Sequence, residues 1–194
     1  MRAEHESELL DYARSVLLTG GVVLVTGTIA AGRSEFLHEI ASHATRAGAV
    51  VNAVTVDDTT TSDALAALCS LRAGVLAVDG LDRTDPIPAL LNADDGTALL
   101  ASCHALDAEG AIDRLISGAL ARGVGDRSAS RLVRTHIDLV LVTGRNVQAA
   151  DAPPEFMITT ASVVDDGTLV PVYRSGPNGS RLTLPTAGQP GGRR

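Results

Sequence analysis

Apolar positions along this chain follow two periods in alternation. Leu9, Leu10, Ala13, Val16 and Leu17 recur three or four residues apart and predict a helix over "ESELLDYARSVLLTG", ended by Gly20 and Gly21. "VVLVTG" follows, short, β-branched and apolar throughout, the pattern of a parallel strand buried on both faces. Helical spacing returns from about Arg33 to Ala47, and "AVVNAVTVDD" reads as the next strand. "TTTSDALAALCSLRAG" opens with cap-type residues and continues as a helix. "VLAVDG" is a buried strand ending in an acid. "DPIPALLNADDG" is a turn and short helix whose start suits Pro86 and Pro88. Then come the strand "TALLASCHA", a helix over "DAEGAIDRLISGALARG" with Asp107 as N-cap, and the strand "HIDLVLVTG". "FMITTASVVDDGTLVPVYR" predicts a hairpin turning at Asp165, Asp166 and Gly167.

This alternation predicts a doubly wound α/β domain: a mostly parallel sheet, helices on both faces, and a C-terminal antiparallel hairpin. The domain is expected over residues 1–174. From Ser175 onward, "SGPNGSRLTLPTAGQPGGRR" is rich in Gly, Pro and Ser, so residues 175–194 are expected to form a flexible tail.

Composition narrows the classes. A length of 194 residues suits one domain, and 45% apolar residues suffice for a core. Aromatics are limited to Tyr12, Phe36, Phe156 and Tyr173, so that core is aliphatic. The net charge is -7 without a basic stripe, which argues against a nucleic-acid partner. Cys69 and Cys103 lack metal-ligand spacing, and a reduced, cytoplasmic protein is the expectation. No apolar stretch approaches the ~18 residues of a membrane span, and the N-terminus lacks a signal-peptide core. All 16 basic residues are arginine.

Ligands of parallel α/β sheets bind at the carboxyl ends of strands, and four strand ends carry suggestive groups. The first is "GTIAAGRSE", between strand and helix. It fits the phosphate-loop pattern G-x-x-x-x-G-K-[ST] at Gly27, Gly32 and Ser34, with Arg33 in place of lysine. Its backbone N–H groups could cradle phosphate at a helix N-terminus, and the Ser34 hydroxyl could reach Mg²⁺. The alternative is an ordinary glycine-containing turn. The second is Asp57-Asp58, able to position a water or to cap the next helix. The third is Asp79, a second Mg²⁺ contact or a turn residue. The fourth is His104, in reach of a terminal phosphate or purely structural. Cys103 beside it reads as core packing.

Taken in order, these stations resemble the RecA-like motor domain of the type II/IV secretion and type IV pilus ATPases, nearest the tight-adherence pilus and conjugation-type branch. "VVLVTGTIAAGRS" resembles the family's Walker A strand, loop and helix start. "VTVDDT" resembles its acidic box, with Asp57 in place of the catalytic glutamate. "LRAGVLAVDGLDRTD" resembles its Walker B segment, with Asp79 at the glutamate position. "ADDGTALLASCHALDAEGAIDRL" resembles the histidine box and places His104 on its histidine. The likeness runs from about Glu8 to Arg174. It implies a RecA-like P-loop NTPase fold that binds ATP and Mg²⁺ through Gly27, Thr28, Ile29, Ala30, Ala31, Gly32, Arg33, Ser34 and Glu35. Metal contacts come from Ser34 and Asp79, and chemistry from Asp57, Asp79 and His104.

The family hydrolyses ATP in hexameric rings that drive pilus assembly or secretion, and this chain departs from its pattern. Arg33 replaces a compact point charge by a planar guanidinium. Ala30 stands where glycine gives backbone freedom. Glu35 puts negative charge in the first helical turn, which suits the helix dipole and repels phosphate. Both acids are aspartate, one methylene short. The family carries a separate N-terminal domain that supplies arginines to the nucleotide; with about one helix before the first strand, this chain is expected to be the motor domain alone. The expectation is therefore a motor-type domain that binds ATP–Mg²⁺ weakly and hydrolyses it slowly or not at all. Its partners would be copies of itself or a full-length secretion or pilus ATPase. The rival expectation is a non-catalytic module docking on such a motor. A small P-loop kinase fits less well, since no arginine-rich lid is evident.

Overall fold

The structure, a computed structural model, describes residues 2–57, 62–69, 74–94, 96–146, 155–176 and 179–185. Helix α1 (Arg2–Leu18) leads into β1 (Val22–Gly27), α2 (Arg33–Arg46), β2 (Val51–Thr55), α3 (Ser62–Cys69) and β3 (Val75–Asp79). After a short 3₁₀ turn, Leu81–Arg83, come α4 (Ile87–Asp94), β4 (Ala98–His104), α5 (Ala108–Leu120), α6 (Asp126–His136) and β5 (Leu139–Asn146). The chain closes with β6 (Glu155–Asp165), β7 (Thr168–Gly176) and β8 (Gly179–Leu182).

These strands form one sheet of order β2-β3-β4-β1-β5-β6-β7-β8. β1 to β5 are parallel, and β5 to β8 pair antiparallel. The continuous apolar character of β1 has a direct cause, because the strand is buried along its whole length between β4 and β5. Its side chains alternate between two cores. Val23 and Val25 pack with Leu9, Leu17, Phe36 and Ile40 of α1 and α2. Val22 and Leu24 face the other side, with Leu65, Leu90, Ile112 and Val133 of α3 to α6. Helices thus cover both faces, as the alternating pattern predicts.

The hairpin turn is where the sequence puts it. Asp166 and Gly167 both have positive φ, 47° and 74°, between the paired residues Asp165 and Thr168. That geometry matches the right-handed twist of the two strands.

Two elements differ from expectation. Helix α6 is absent from the sequence reading, since only Ala129, Val133 and His136 of its Arg- and Ser-rich segment are buried. It is held instead by α5, where Arg134 pairs with Glu109 and Asp113. The second difference is at the expected tail boundary. The sheet does not stop at Arg174: β7 runs on to Gly176, and β8 pairs with it from Tyr173↔Leu182 to Gly176↔Gly179. Backbone pairing needs no apolar periodicity, and Leu182 and Leu184 add contacts to the α1 face. Residues 186–194 of the expected tail lie outside the described residues.

Candidate functional site

The loop between β1 and α2 is shaped by close approach. A Cβ on Gly27 would lie 2.5 Å from Thr143 Oγ1 and 2.8 Å from the Thr143 carbonyl oxygen. Thr143 is fixed there, its hydroxyl donating to the Thr26 carbonyl at 3.1 Å. Gly32 has φ 80°, and a Cβ there would sit 2.4 Å from the Phe156 ring. Ala30 occupies the same left-handed region at φ 58°, a conformation disfavoured for a residue with a Cβ. Thr28, Ile29 and Ala30 form an exposed tip, and Ala31 is buried beneath it. Gly32 is the N-cap of α2 and makes no side-chain hydrogen bond, and the first-turn N–H groups of a helix have no intrahelical acceptor.

Four parallel strands deliver their ends to the same edge. Gly27 of β1 is in register with His104 of β4, and Thr55 of β2 with Asp79 of β3. Between them lies a cleft of about 320 Å³. Ile29, Arg33 and Ser34 line it from the loop side, and Asp79, Ser102 and His104 from β3 and β4. Asp82, Arg83 and Arg114 close its far wall.

Asp79 is the hub. Ser34 donates its hydroxyl to Asp79 Oδ2 at 2.7 Å, and Ser102 donates to Asp79 Oδ1 at 2.5 Å. Asp82, three residues on, is only 4% exposed at its side chain and receives Arg114 Nε at 2.8 Å. Arg83 lies beside Gly80, its Cδ 3.4 Å from where a Gly80 Cβ would stand. His104 is half-buried at the cleft wall. Next to it, burial pushes the Cys103 thiol up to about 12, and the negative charge of Asp82 adds to the effect. Burial also raises Cys69, so both cysteines are inert packing groups.

The sequence-predicted residues divide accordingly. Ile29, Arg33, Ser34, Asp79 and His104 come together in the cleft. Gly27, Ala31 and Gly32 are buried and shape the loop from below, and Thr28 and Ala30 are exposed at its tip. Glu35 is exposed and outside the cleft lining. Asp57 is exposed just beyond β2, where Thr55 and Val56 rather than Asp57 line the cleft. Asp58 lies outside the described residues. Sequence reasoning missed Ser102, Asp82, Arg83 and Arg114. Ser102 left a trace, as a hydroxyl inside the otherwise apolar run "ALLASC".

The fold is RecA-like, and several solved structures of secretion and pilus ATPases share it. The DotB ATPase of Legionella pneumophila matches with TM-score 0.63 at 15% identity, over 82% of this chain and 49% of that one. The pilus retraction motor PilT with bound ADP matches with TM-score 0.57 at 15% identity, over 74% and 50%. The VirB11 ATPase of the Brucella suis type IV secretion system, in complex with sulphate, matches with TM-score 0.54 at 16% identity, over 78% and 52%. This chain therefore spans about half the length of each of these three structures. No protein-family model and no curated protein sequence gives a significant match. Among the described residues no helix is long and apolar enough to cross a membrane.

Proposed function

We propose that the cleft is a nucleotide site that binds ATP with Mg²⁺ and turns it over slowly or not at all in the isolated chain. The observation that carries this reading is the Ser34–Asp79 contact of 2.7 Å at the mouth of the loop. A hydroxyl on the first turn of a helix and a carboxylate at a strand end supply hard oxygen donors, which suit Mg²⁺. Among the described residues no group of three His, Cys, Asp or Glu could hold a metal alone. Mg²⁺ is usually held by one or two protein oxygens together with phosphate oxygens and waters. When bound, the ion would neutralise charge on the terminal phosphates. The residues of this chain do the rest. The first-turn N–H groups of α2 would donate to phosphate oxygens, and Arg33 and Arg83 offer cationic donors. His104 lines the same cleft and would hydrogen-bond a terminal phosphate.

Impaired turnover follows from what the cleft lacks. Asp57, the candidate for orienting water, is exposed and away from the lining. Ala30 holds the loop in a conformation glycine would adopt at lower cost. Sulphate on VirB11 and ADP on PilT support an anion and nucleotide role for this fold, at identities of 16% and 15%. Calorimetric titration with Mg·ATP tests the reading: micromolar to millimolar affinity is expected, and a flat titration overturns it. A turnover near the enzyme median of ~10 s⁻¹ would overturn the impairment alone.

A second reading, a docking module on copies of itself or on a full-length motor, draws on one observation. Ile29 and Leu106, 81% and 80% exposed, follow the ends of the adjacent strands β1 and β4. A complex with such a motor that forms without nucleotide would favour it.

A further inference from the structure

We infer that Ser102 is the positioning residue of this site, setting which oxygen of Asp79 faces the cation. The inference rests on the nucleotide-site reading above. Ser102 is 1% exposed and sits within β4, flanked by Ala101 and Cys103 and in register with Val25 of β1. A serine hydroxyl has one proton to donate. Here it goes to Asp79 Oδ1 at 2.5 Å, and Ser102 Oγ itself accepts the Gly80 N–H at 2.9 Å. One atom of β4 therefore ties both the carboxylate and the next backbone amide of β3. Gly80 begins the left-handed turn out of the strand, at φ 89°. With Oδ1 held by Ser102, Oδ2 is the oxygen turned to Ser34 and the loop.

This division of labour has a chemical consequence. A carboxylate with both oxygens free rotates about its last torsion and gives a diffuse ligand. A charge-assisted hydrogen bond to one oxygen fixes the plane and leaves the other as a directed donor. Partners of this kind behind a metal ligand typically contribute 10–100-fold to metal affinity. Ser102 touches Asp79 rather than the reacting atoms, so its effect should fall on the cation and not on the nucleotide itself.

The test uses Mn²⁺ as the probe, followed by electron paramagnetic resonance in the presence of ADP, on the full chain and on S102A and S102T. Metal-free ADP affinity is measured in parallel by calorimetry, and folding by circular dichroism. In S102A, Mn²⁺ affinity should fall about tenfold with metal-free ADP affinity unchanged. S102T, which keeps the hydroxyl, should recover most of the loss. Equal Mn²⁺ affinity in folded S102A and parent overturns the inference and leaves the nucleotide site standing. Equal losses with and without metal mark a merely structural serine and also overturn it. Absence of any Mn·ADP binding by the parent overturns the nucleotide reading and the inference with it. If S102A does not fold, S102C, nearly isosteric and a weaker donor, decides by the same criteria.

Discussion

Ser34 and Asp79 are 45 residues apart in the chain, and the hydroxyl of one donates to the carboxylate of the other at 2.7 Å. Neither residue stands out by itself. Their meeting depends on β1 and β3 ending at the same sheet edge with β4 between them. The pair gives the first prediction. Asp79→Asn keeps the side-chain size and removes the charge. Mg·ATP affinity should drop tenfold or more, about 1.4 kcal/mol, and Mg-free ATP affinity should change little. Titrations with and without Mg²⁺ check this, and equal losses in both would place Asp79 outside the metal site.

The loop should improve on repair. Ala30 sits at φ 58°, where a Cβ costs about 1 kcal/mol or more. Ala30→Gly should relieve that strain without harming the fold, and Arg33→Lys should restore a compact charge. Together they should raise Mg·ATP affinity several-fold. Glu35 is exposed and away from the cleft lining, so Glu35→Thr should add little. Calorimetry on the double and triple variants separates these contributions.

Arg83 should discriminate between nucleotides. It lines the cleft beside Gly80. If it reaches the terminal phosphate, Arg83→Ala should weaken ATP about tenfold and ADP much less, as expected for loss of a charge-assisted contact. Competition between the two nucleotides reads the difference directly. A uniform effect on both would place Arg83 at the inner phosphates.

Cys103 gives a pH-dependence. Its folded value of about 12 lies above the ordinary 9.0, so the folded chain keeps a proton that the unfolded chain releases. Its contribution to stability is complete below pH 9 and is lost as pH rises from there toward 12. At pH 10 the loss should be about 1 kcal/mol, read as a falling denaturation midpoint. Cys103→Ala should flatten that slope. Thiol reagents at pH 8 should leave the native protein unmodified and label both cysteines after unfolding, since both are buried.

Much of the fold was legible because its signals are local. Val22 to Gly27 are buried on both faces, and a fully buried strand must be apolar throughout. Asp166 and Gly167 announce a tight hairpin because few residues accept positive φ. Helix α6 was hidden because its buried residues, Ala129, Val133 and His136, give only a narrow stripe with a single strongly apolar member in an Arg- and Ser-rich segment, and ion pairs to α5 complete its anchoring. Strand β8 was hidden because backbone ladders leave no mark in a Gly- and Ser-containing stretch.

The same division runs through the site. Spacing alone located the loop from Gly27 to Ser34, although the reason for its glycines lies partly in distant chain: space against Thr143 at Gly27, and positive φ with space against Phe156 at Gly32. Spacing also marked Asp79 and His104, because parallel strands expose chemistry at their carboxyl ends. Which other groups join them was beyond sequence. Ser102, Arg83 and Arg114 enter the cleft, and Asp57 and Glu35 stay outside its lining, through strand register and the turn after β3. Those are long-range relationships. A sequence records the side chains that a neighbourhood requires, and only the packed sheet determines which neighbourhoods meet.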